Sequence, residues 1–331
     1  MHRVSYASAA PPLVTALQAM TISTANPAAL RAIFEQQLGW EALCDEPIDP
    51  QLERQWGITA ASAGAGGCIL RCRGADRGMV RIVSGAERVR TRPMAARWGG
   101  VEMIVSADLD GLHERLALQP GFRTFQPPST WDWTEFGSNI HRAFIGLAPG
   151  GTHLAFTMSL TAPRDRDFPS ADEQVGHVFD VPLITTQFSE CAKFYCGTLR
   201  MRPFLQSHFQ RHLWQRLWKL PPDSPVDLDI VKGDAPGTGL GGIELQGYET
   251  DLVDPEPASA DRFDGGACMV SYTCDDIDVA AIAVAADPAA RLLSQPRVID
   301  APPYCGARMF AFQGPIGERV EICEAAWCAA E

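Results

Sequence analysis

The sequence lacks the short motifs that assign nucleotide-dependent or hydrolytic chemistry directly. It has no GxGxxG turn between a strand and a helix, no GxxxxGK[ST] loop and no GxSxG turn. The HExxH pattern and the HxE…PCxxC pattern of zinc deaminases are also absent. These absences argue against the common dinucleotide-binding, nucleoside-triphosphate-binding, hydrolase and zinc-hydrolase classes.

Basic residues are in the minority, and no hydrophobic run is long. The chain has 28 Lys and Arg against 40 Asp and Glu, a net charge of -12, which disfavours nucleic acids and anionic membranes as partners. No segment approaches the roughly 18 apolar residues of a membrane helix, and residues 1–20 do not resemble a secretory signal. We therefore expect a cytoplasmic protein that acts on a small molecule; a homodimer stays open.

The ten cysteines include no CxxC pair. The spacings of Cys68 with Cys72 and of Cys191 with Cys196 do not suit a zinc knuckle. A chain of 331 residues is also too long to need a disulfide framework. We expect reduced and mostly buried thiols.

An internal repeat is the most informative feature of the sequence. Residues 15–40 predict a strand, a turn and an amphipathic helix, and residues 176–201 repeat that plan. Residues 99–117 and 266–284 share a second plan: an alternating strand, an acidic turn and a helix. The acidic turns supply helix N-caps, Asp108 or Asp110 in one copy and Asp276 or Asp278 in the other. Two further strands follow each unit of the second kind.

The chain is thus predicted to consist of four βαβββ modules in the order A, B, A′, B′. We predict an N-terminal pair of modules in residues 1–160 and a C-terminal pair in residues 176–331. The polar segment 161–175, rich in Pro, Asp and Arg, is the predicted linker.

This repeated module resembles the vicinal oxygen chelate superfamily, which includes glyoxalases, extradiol dioxygenases and bleomycin-resistance proteins. The resemblance covers residues 15–160 and 176–327. It is carried by FEQQLGW and KFYCGTLRM at the helix ends and by APGGTHLAF and GPIGERVEI in the final hairpins. It implies an α+β fold, in which the modules pair into two strongly curved mixed β-sheets with flanking helices. A divalent metal would lie in a concavity, since inward side chains of cupped strands converge.

The resemblance also implies that metal ligands come from the first and fourth strands of each module. In the C-terminal half, the corresponding positions are Asp180, Glu244, Met269 and Glu321. In the N-terminal half, they are Ala19, Arg81, Val101 and Ala155. We therefore expect the site in the C-terminal half and no metal site in the N-terminal half, where Arg81 is a salt-bridge residue or an anchor for an anionic group.

The side chains at these positions restrict the chemistry. Met269 removes a histidine that a ring-cleaving dioxygenase would need, because its iron is held by two imidazoles and a carboxylate. Asp180, Glu244 and Glu321 would form an oxygen-only set that suits Mg²⁺ or Mn²⁺ better than Fe²⁺ or Zn²⁺. Without a metal, their repulsion would raise a carboxyl pKa and favour general acid–base catalysis. His177 lies near enough in sequence to add an imidazole.

Glu321 has two interpretations, because Val320 and Ile322 point to the opposite face of its strand. It lies either on a solvated surface or inside the concavity. We expect Glu321, Tyr304 and His177 to be catalytic. Aromatic clusters in segments 129–144 and 207–222 predict a substrate-binding wall, with a surface helix as the alternative for the second segment. The predicted substrate contacts are Trp131, Trp133, His208, Trp214 and Arg308.

Two functions fit these features. The first is a lyase, isomerase or epimerase that stabilises an oxyanion or enolate of a small aromatic substrate in the C-terminal cavity. The second is a non-catalytic protein that sequesters a hydrophobic compound, as bleomycin-resistance proteins do. Extradiol ring cleavage is less favoured. Carboxylate or imidazole partners around Glu321 would favour catalysis, and an isolated Glu321 would favour binding.

Overall fold

A computed structural model of the chain describes residues 10–47, 50–58, 66–85, 97–161, 170–234, 242–249, 263 and 265–328. These residues form two mixed β-sheets with helices packed against them, which confirms the predicted α+β class. Among the described residues, no helix has both the length and the apolar composition that crossing a bilayer requires.

The strands run in chain order as β1 (Leu17–Thr24), β2 (Glu41–Pro47), β3 (Gly66–Arg71), β4 (Met79–Ser84), β5 (Arg97–Trp98), β6 (Gly100–Val105), β7 (Arg123–Thr124), β8 (Ser129–Asp132), β9 (Ile140–Leu147), β10 (His153–Ser159), β11 (Val175–Thr185), β12 (Arg202–Phe209), β13 (Val226–Lys232), β14 (Gly242–Gly247), β15 (Gly266–Thr273), β16 (Arg291–Leu292), β17 (Arg297–Val298), β18 (Arg308–Gln313) and β19 (Arg319–Cys323). The α-helices are α1 (Pro27–Ala32), α2 (Pro50–Gln55), α3 (Leu109–Ala117), α4 (Phe188–Lys193), α5 (His212–Trp218) and α6 (Ile277–Ala286).

The helices repeat as the modules predict. In modules A and A′, α1 and α4 each continue into a five-residue π-helical turn, Ile33–Gln37 and Phe194–Thr198. In modules B and B′, an aspartate caps the helix. Asp108 accepts a hydrogen bond from the backbone N–H of Gly111 at the start of α3, and Asp276 caps α6 in the same way.

The sheets do not group the modules by halves of the chain. The first sheet has the order β16-β18-β19-β15-β1-β4-β3-β2 and joins module A to module B′. The second sheet has the order β12-β13-β14-β11-β6-β10-β9-β7 and joins module B to module A′. The boundaries 1–160 and 176–331 stay a prediction, but neither sheet follows them. Most of the linker, residues 162–169, lies outside the described residues.

One face of each sheet packs into a shared hydrophobic core. Along β6, Val101, Met103 and Val105 point into this core, together with the buried faces of α1, α3, α4 and α6. The alternate residues of the strands point to the opposite face, because successive strand side chains alternate. Each sheet therefore has a second face, and each second face carries its own side-chain cluster.

One cysteine pair departs from the expectation of reduced thiols. Cys305 and Cys328 form a disulfide, and the other eight cysteines are free. The C-terminal segment folds back at this point: the backbone N–H of Cys328 donates to the carbonyl of Pro303, and the Trp327 ring contacts the Tyr304 ring. A count of cysteine spacings does not detect this approach, because it depends on tertiary structure.

Candidate functional site

Three carboxyl groups meet on the outer face of the second sheet. Glu102 lies on β6, Asp180 on β11 and Glu244 on β14. Asp180 pairs with Glu102 across the β11–β6 ladder, and Glu244 is opposite Pro182, two residues further along β11. One oxygen from each carboxyl group lies within 4.8 Å of the other two. We call these three residues the carboxyl cluster.

Each member of the carboxyl cluster accepts a hydrogen bond. Glu102 accepts from the Thr157 hydroxyl, Asp180 from the backbone N–H of Val181 at 2.9 Å, and Glu244 from Gln246 Nε2 at 2.5 Å. Burial raises the pKa of all three groups, and repulsion from Glu244 and Glu102 raises the pKa of Asp180 further. The pKa of Glu244 is raised to about 8. Close packing of three acids therefore strongly disfavours three negative charges without a counter-ion.

A cavity of about 140 Å³ opens onto the carboxyl cluster. Its walls are mainly apolar and aromatic. Four tryptophans contribute to them: Trp131, Trp133, Trp214 and Trp218. The first two stack 6.3 Å apart, and Trp214 meets them edge-on at 5.8 and 6.2 Å. Such walls suit a flat, apolar ligand.

The described lining of this cavity contains no Lys or Arg. Its cationic candidates are two imidazoles, His141 and His153, and burial lowers the pKa of His141 to about 4, so His141 is neutral at pH 7. Within the described lining, which has no Lys or Arg, charge balance at the carboxyl cluster is left to bound protons or to a cation. Three carboxyl groups form an oxygen-only donor set of the kind that Mg²⁺ and Mn²⁺ prefer. The residues present therefore fit a divalent metal ion.

Solved structures with the same architecture are known. No protein-family model matches the chain, and no curated protein matches it. Glyoxalase I from Zea mays superimposes with a TM-score of 0.60 at 13% identity, over 93% of this chain and 92% of that one. A putative dioxygenase from Bacillus subtilis gives 0.62 at 11% identity, over 95% and 86%. The chain has the vicinal oxygen chelate fold. Identities this low establish the fold alone.

In this vicinal oxygen chelate fold, Glu321 does not join the carboxyl cluster, contrary to the predicted set of Asp180, Glu244 and Glu321. Glu321 lies on β19, whose neighbours β15 and β18 belong to the first sheet. Asp180 and Glu244 lie on the second sheet, where they meet Glu102 from the N-terminal half. The cavity beside Asp180 and Glu244 is therefore not the purely C-terminal one that was predicted for the site: β6, β9 and β10 supply one side of the cavity and β11 and β14 the other.

Glu102 is the ligand candidate that the sequence count missed. The count gave Val101, but Val101 points into the shared core with Met103. The signal was present in the sequence, since the apolar alternation of Val101, Met103 and Val105 leaves Glu102 on the opposite face.

Glu321 is instead the centre of a fully buried polar cluster on the outer face of the first sheet. Its carboxylate accepts hydrogen bonds from Trp56 Nε1 at 2.5 Å, from the Tyr304 hydroxyl at 2.7 Å and from the Ser271 hydroxyl at 2.8 Å. Arg81 Nη1 lies 3.7 Å from its other side, and Arg81 Nη2 donates to the Tyr304 hydroxyl at 2.8 Å. We call these five residues the arginine cluster.

The arginine cluster answers both questions about Glu321. The side chain is inside the molecule, with an exposed fraction of 0%. Its charged partner is a guanidinium, not a carboxylate or an imidazole. The Arg81 guanidinium also lies 4.3 Å from the Trp327 ring and 4.8 Å from the Trp56 ring. This is an internally neutralised ion pair, and the salt-bridge interpretation of Arg81 is the one that the structure supports.

The remaining predicted residues divide between the cavity and other places. Trp131, Trp133 and Trp214 line the cavity. His208 lies outside its described lining, where the exposed imidazole bonds Asp227 at 2.8 Å. Arg308 bonds Glu324 and Asp278 near the surface.

Two predicted catalytic residues also lie away from the cavity. Tyr304 belongs to the arginine cluster. His177 packs against Gly78 between the sheets, and burial lowers its imidazole pKa. Neither residue is part of the described cavity lining. His212, four residues after His208, begins α5, but its side chain is outside the described part of the chain.

Proposed function

We propose that the chain is an enzyme that holds a divalent metal ion, Mg²⁺ or Mn²⁺, with Glu102, Asp180 and Glu244. It would use this site to stabilise the oxyanion or enolate of a small aromatic substrate, in a lyase, isomerase or epimerase reaction. The observation that carries the proposal is the convergence of three carboxyl groups, with Asp180 buried and Glu102 partly exposed, on an apolar cavity whose described lining has no Lys or Arg.

The residues around the cavity would have three different roles. The carboxyl cluster would hold the ion, which would supply a Lewis acid that polarises a substrate oxygen. The tryptophan walls would orient an aromatic substrate and exclude water, so that electrostatic interactions inside the cavity are strengthened. His141 would offer a neutral imidazole for a hydrogen bond to the substrate, because burial keeps this ring unprotonated at pH 7.

Metal binding is the first test of this proposal. Mn²⁺ titration of the purified chain, followed by electron paramagnetic resonance, should show about one bound ion per chain. Glu244→Gln and Asp180→Asn should abolish this binding, because each removes an anionic ligand. Glu318→Gln is the matched control, since Glu318 is a buried carboxyl group outside the cavity lining. No binding by the unmodified chain, or unchanged binding in Glu244→Gln, would overturn the metal site.

A second measurement separates catalysis from sequestration, the alternative that the tryptophan walls favour. Aromatic α-hydroxyketones are incubated with the Mn²⁺-loaded chain in D₂O and followed by NMR. An enzyme that forms an enolate should incorporate deuterium next to the carbonyl group, and removal of the metal should stop incorporation. Tight binding of an aromatic compound with no turnover of any α-hydroxyketone would favour the binding protein.

A further inference from the structure

A chain of three hydrogen bonds links the carboxyl cluster to helix α5. Trp214 Nε1 lies 2.9 Å from the Tyr248 hydroxyl oxygen. That hydroxyl lies 2.7 Å from Gln246 Oε1, and Gln246 Nε2 lies 2.5 Å from Glu244 Oε1. Trp214, Tyr248 and Gln246 are all buried, so water does not readily replace these contacts. We call these three residues the relay.

The chemistry of the groups fixes the direction of every hydrogen bond. An indole N–H can only donate, so the Tyr248 oxygen accepts from Trp214. Tyr248 then has its single hydroxyl proton free to donate to the Gln246 carbonyl oxygen. The Gln246 amide nitrogen consequently faces Glu244 and donates to it. All three bonds point toward the carboxyl group, an arrangement in which each bond polarises the next.

The relay begins in one wall of the cavity. Trp214 lies on α5, and Leu217 and Trp218 of the same helix also line the cavity. The Trp214 ring contacts Trp131 of β8 and Phe209 of β12. A change in the orientation of Trp214 would therefore alter the shape of the cavity that the substrate enters.

We propose that Gln246 and Tyr248 are positioning residues that fix the Glu244 carboxyl group and couple it to the position of α5. Through them, occupation of the carboxyl cluster would tighten the tryptophan wall. The coupling itself needs only the three hydrogen bonds; its consequence for metal affinity rests on the proposed function.

Hydrogen–deuterium exchange of the α5 amides in the metal-free chain tests the coupling. Glu244→Ala removes the final acceptor and should speed exchange in α5 at least threefold. Tyr248→Phe should have a similar effect, and adding Glu244→Ala to it should produce little further change. Two controls are matched. Glu102→Ala removes a carboxyl group that bonds Thr157 instead of the relay, and Tyr304→Phe removes a phenol-to-glutamate bond in the arginine cluster.

The inference is overturned if neither Glu244→Ala nor Tyr248→Phe changes α5 exchange. It is also overturned if their effects simply multiply in the double variant, or if Glu102→Ala speeds α5 exchange as much as Glu244→Ala does. None of these outcomes depends on a metal.

Mn²⁺ affinity tests the positioning role separately. Tyr248→Phe should weaken Mn²⁺ binding about tenfold, the usual scale for residues that orient a metal ligand, and Tyr304→Phe should leave it within twofold. An unchanged affinity in Tyr248→Phe would overturn the positioning role. If the unmodified chain binds no Mn²⁺, the proposed metal function fails, and the exchange experiment alone decides the coupling.

Discussion

The outer faces of the two sheets carry the same four strand positions with opposite chemistry. The strand pairing shows which positions correspond. In the second sheet, Asp180 is paired with Glu102, and Glu102 with Ala155. In the first sheet, Ala19 is paired with Ser271, and Ser271 with Glu321. Each residue of the first sheet therefore has an equivalent in the second sheet: Ala19 corresponds to Asp180, Arg81 to Glu244, Ser271 to Glu102, and Glu321 to Ala155.

The difference shows how one architecture gives a self-sufficient cluster or an incomplete one. In the first sheet, a guanidinium and a carboxylate neutralise each other, and Trp56, Tyr304 and Ser271 donate hydrogen bonds to the carboxylate. In the second sheet, three acids converge, and Ala155 leaves space where Glu321 stands in the first sheet. A carboxyl cluster with no Lys or Arg among the described residues of its cavity has a chemical reason to bind a cation.

The largest expected effect comes from breaking the arginine cluster. Arg81→Met removes the guanidinium and leaves Glu321 as a buried carboxylate without its counter-charge. The free energy of unfolding should fall by about 3–5 kcal/mol. Urea denaturation measures this change.

Arg31→Met is the control for Arg81→Met, because Arg31 pairs with Glu35 and Asp45 on a partly exposed surface. It should cost less than about 1 kcal/mol. Equal losses in the two variants would show that the buried pair is not the reason for the stability of the first sheet. Adding Glu321→Gln to Arg81→Met should recover part of the loss.

The hairpin turns give a second contrast, in pH dependence. In the hairpin of the first sheet, the backbone N–H of Gly314 donates to the carbonyl of Glu318 at 2.9 Å. In the hairpin of the second sheet, the N–H of Ala148 donates to the carbonyl of Thr152 at the same distance, so Glu318 and Thr152 occupy equivalent positions. Burial raises the pKa of the Glu318 carboxyl group to about 7, although the Tyr195 hydroxyl donates to it. The second sheet has no acid at this position.

Stability should therefore fall as the pH rises from about 4.5 to 7. The folded state binds the Glu318 proton more tightly than the unfolded state does. The stabilisation that results is fully present below the pKa of the unfolded state, and it is lost as the pH rises through the pKa of the folded state. The loss is up to about 3 kcal/mol. Urea denaturation at pH 5 and pH 8 should show this loss in the unmodified chain and a smaller one in Glu318→Gln. The same pH slope in both would refute the assignment.

Much of the fold could be predicted from the sequence. The helix caps at Asp108 and Asp276 and the repeated hairpins depend on local residue patterns, which a sequence shows directly. Asp180 and Glu244 were found because they occupy equivalent positions relative to the repeat. The tryptophans of the cavity wall were found because aromatic residues cluster in two segments.

The grouping of these residues could not be predicted. The modules have similar edge strands, so the sequence does not show which two modules pair into one sheet. That pairing depends on contacts between strands far apart in the chain, such as β1 with β15 and β6 with β11. That pairing removed Glu321 from the site and brought in Glu102. A count along one half of the chain therefore identified two members of the carboxyl cluster and assigned the third to the wrong sheet.

The smallest expected effect is the change in the free energy of unfolding when a glutamate is replaced by glutamine, and its sign should differ between the two sheets. In the metal-free chain at pH 7, Glu244→Gln should raise the free energy of unfolding by about 1 kcal/mol. The raised pKa of Glu244 makes this acid take up a proton on folding, whereas an amide needs none and keeps an oxygen that can accept from Gln246. Glu321→Gln should lower the free energy of unfolding, because Arg81 loses its counter-charge. Both variants replace a buried carboxyl group by an amide of the same shape, so size and packing do not explain a difference. Urea denaturation in the presence of a chelator measures both. If Glu244→Gln destabilises the chain as Glu321→Gln does, the carboxyl cluster already has its charge balanced within the protein, and the electrostatic reason for a metal ion disappears.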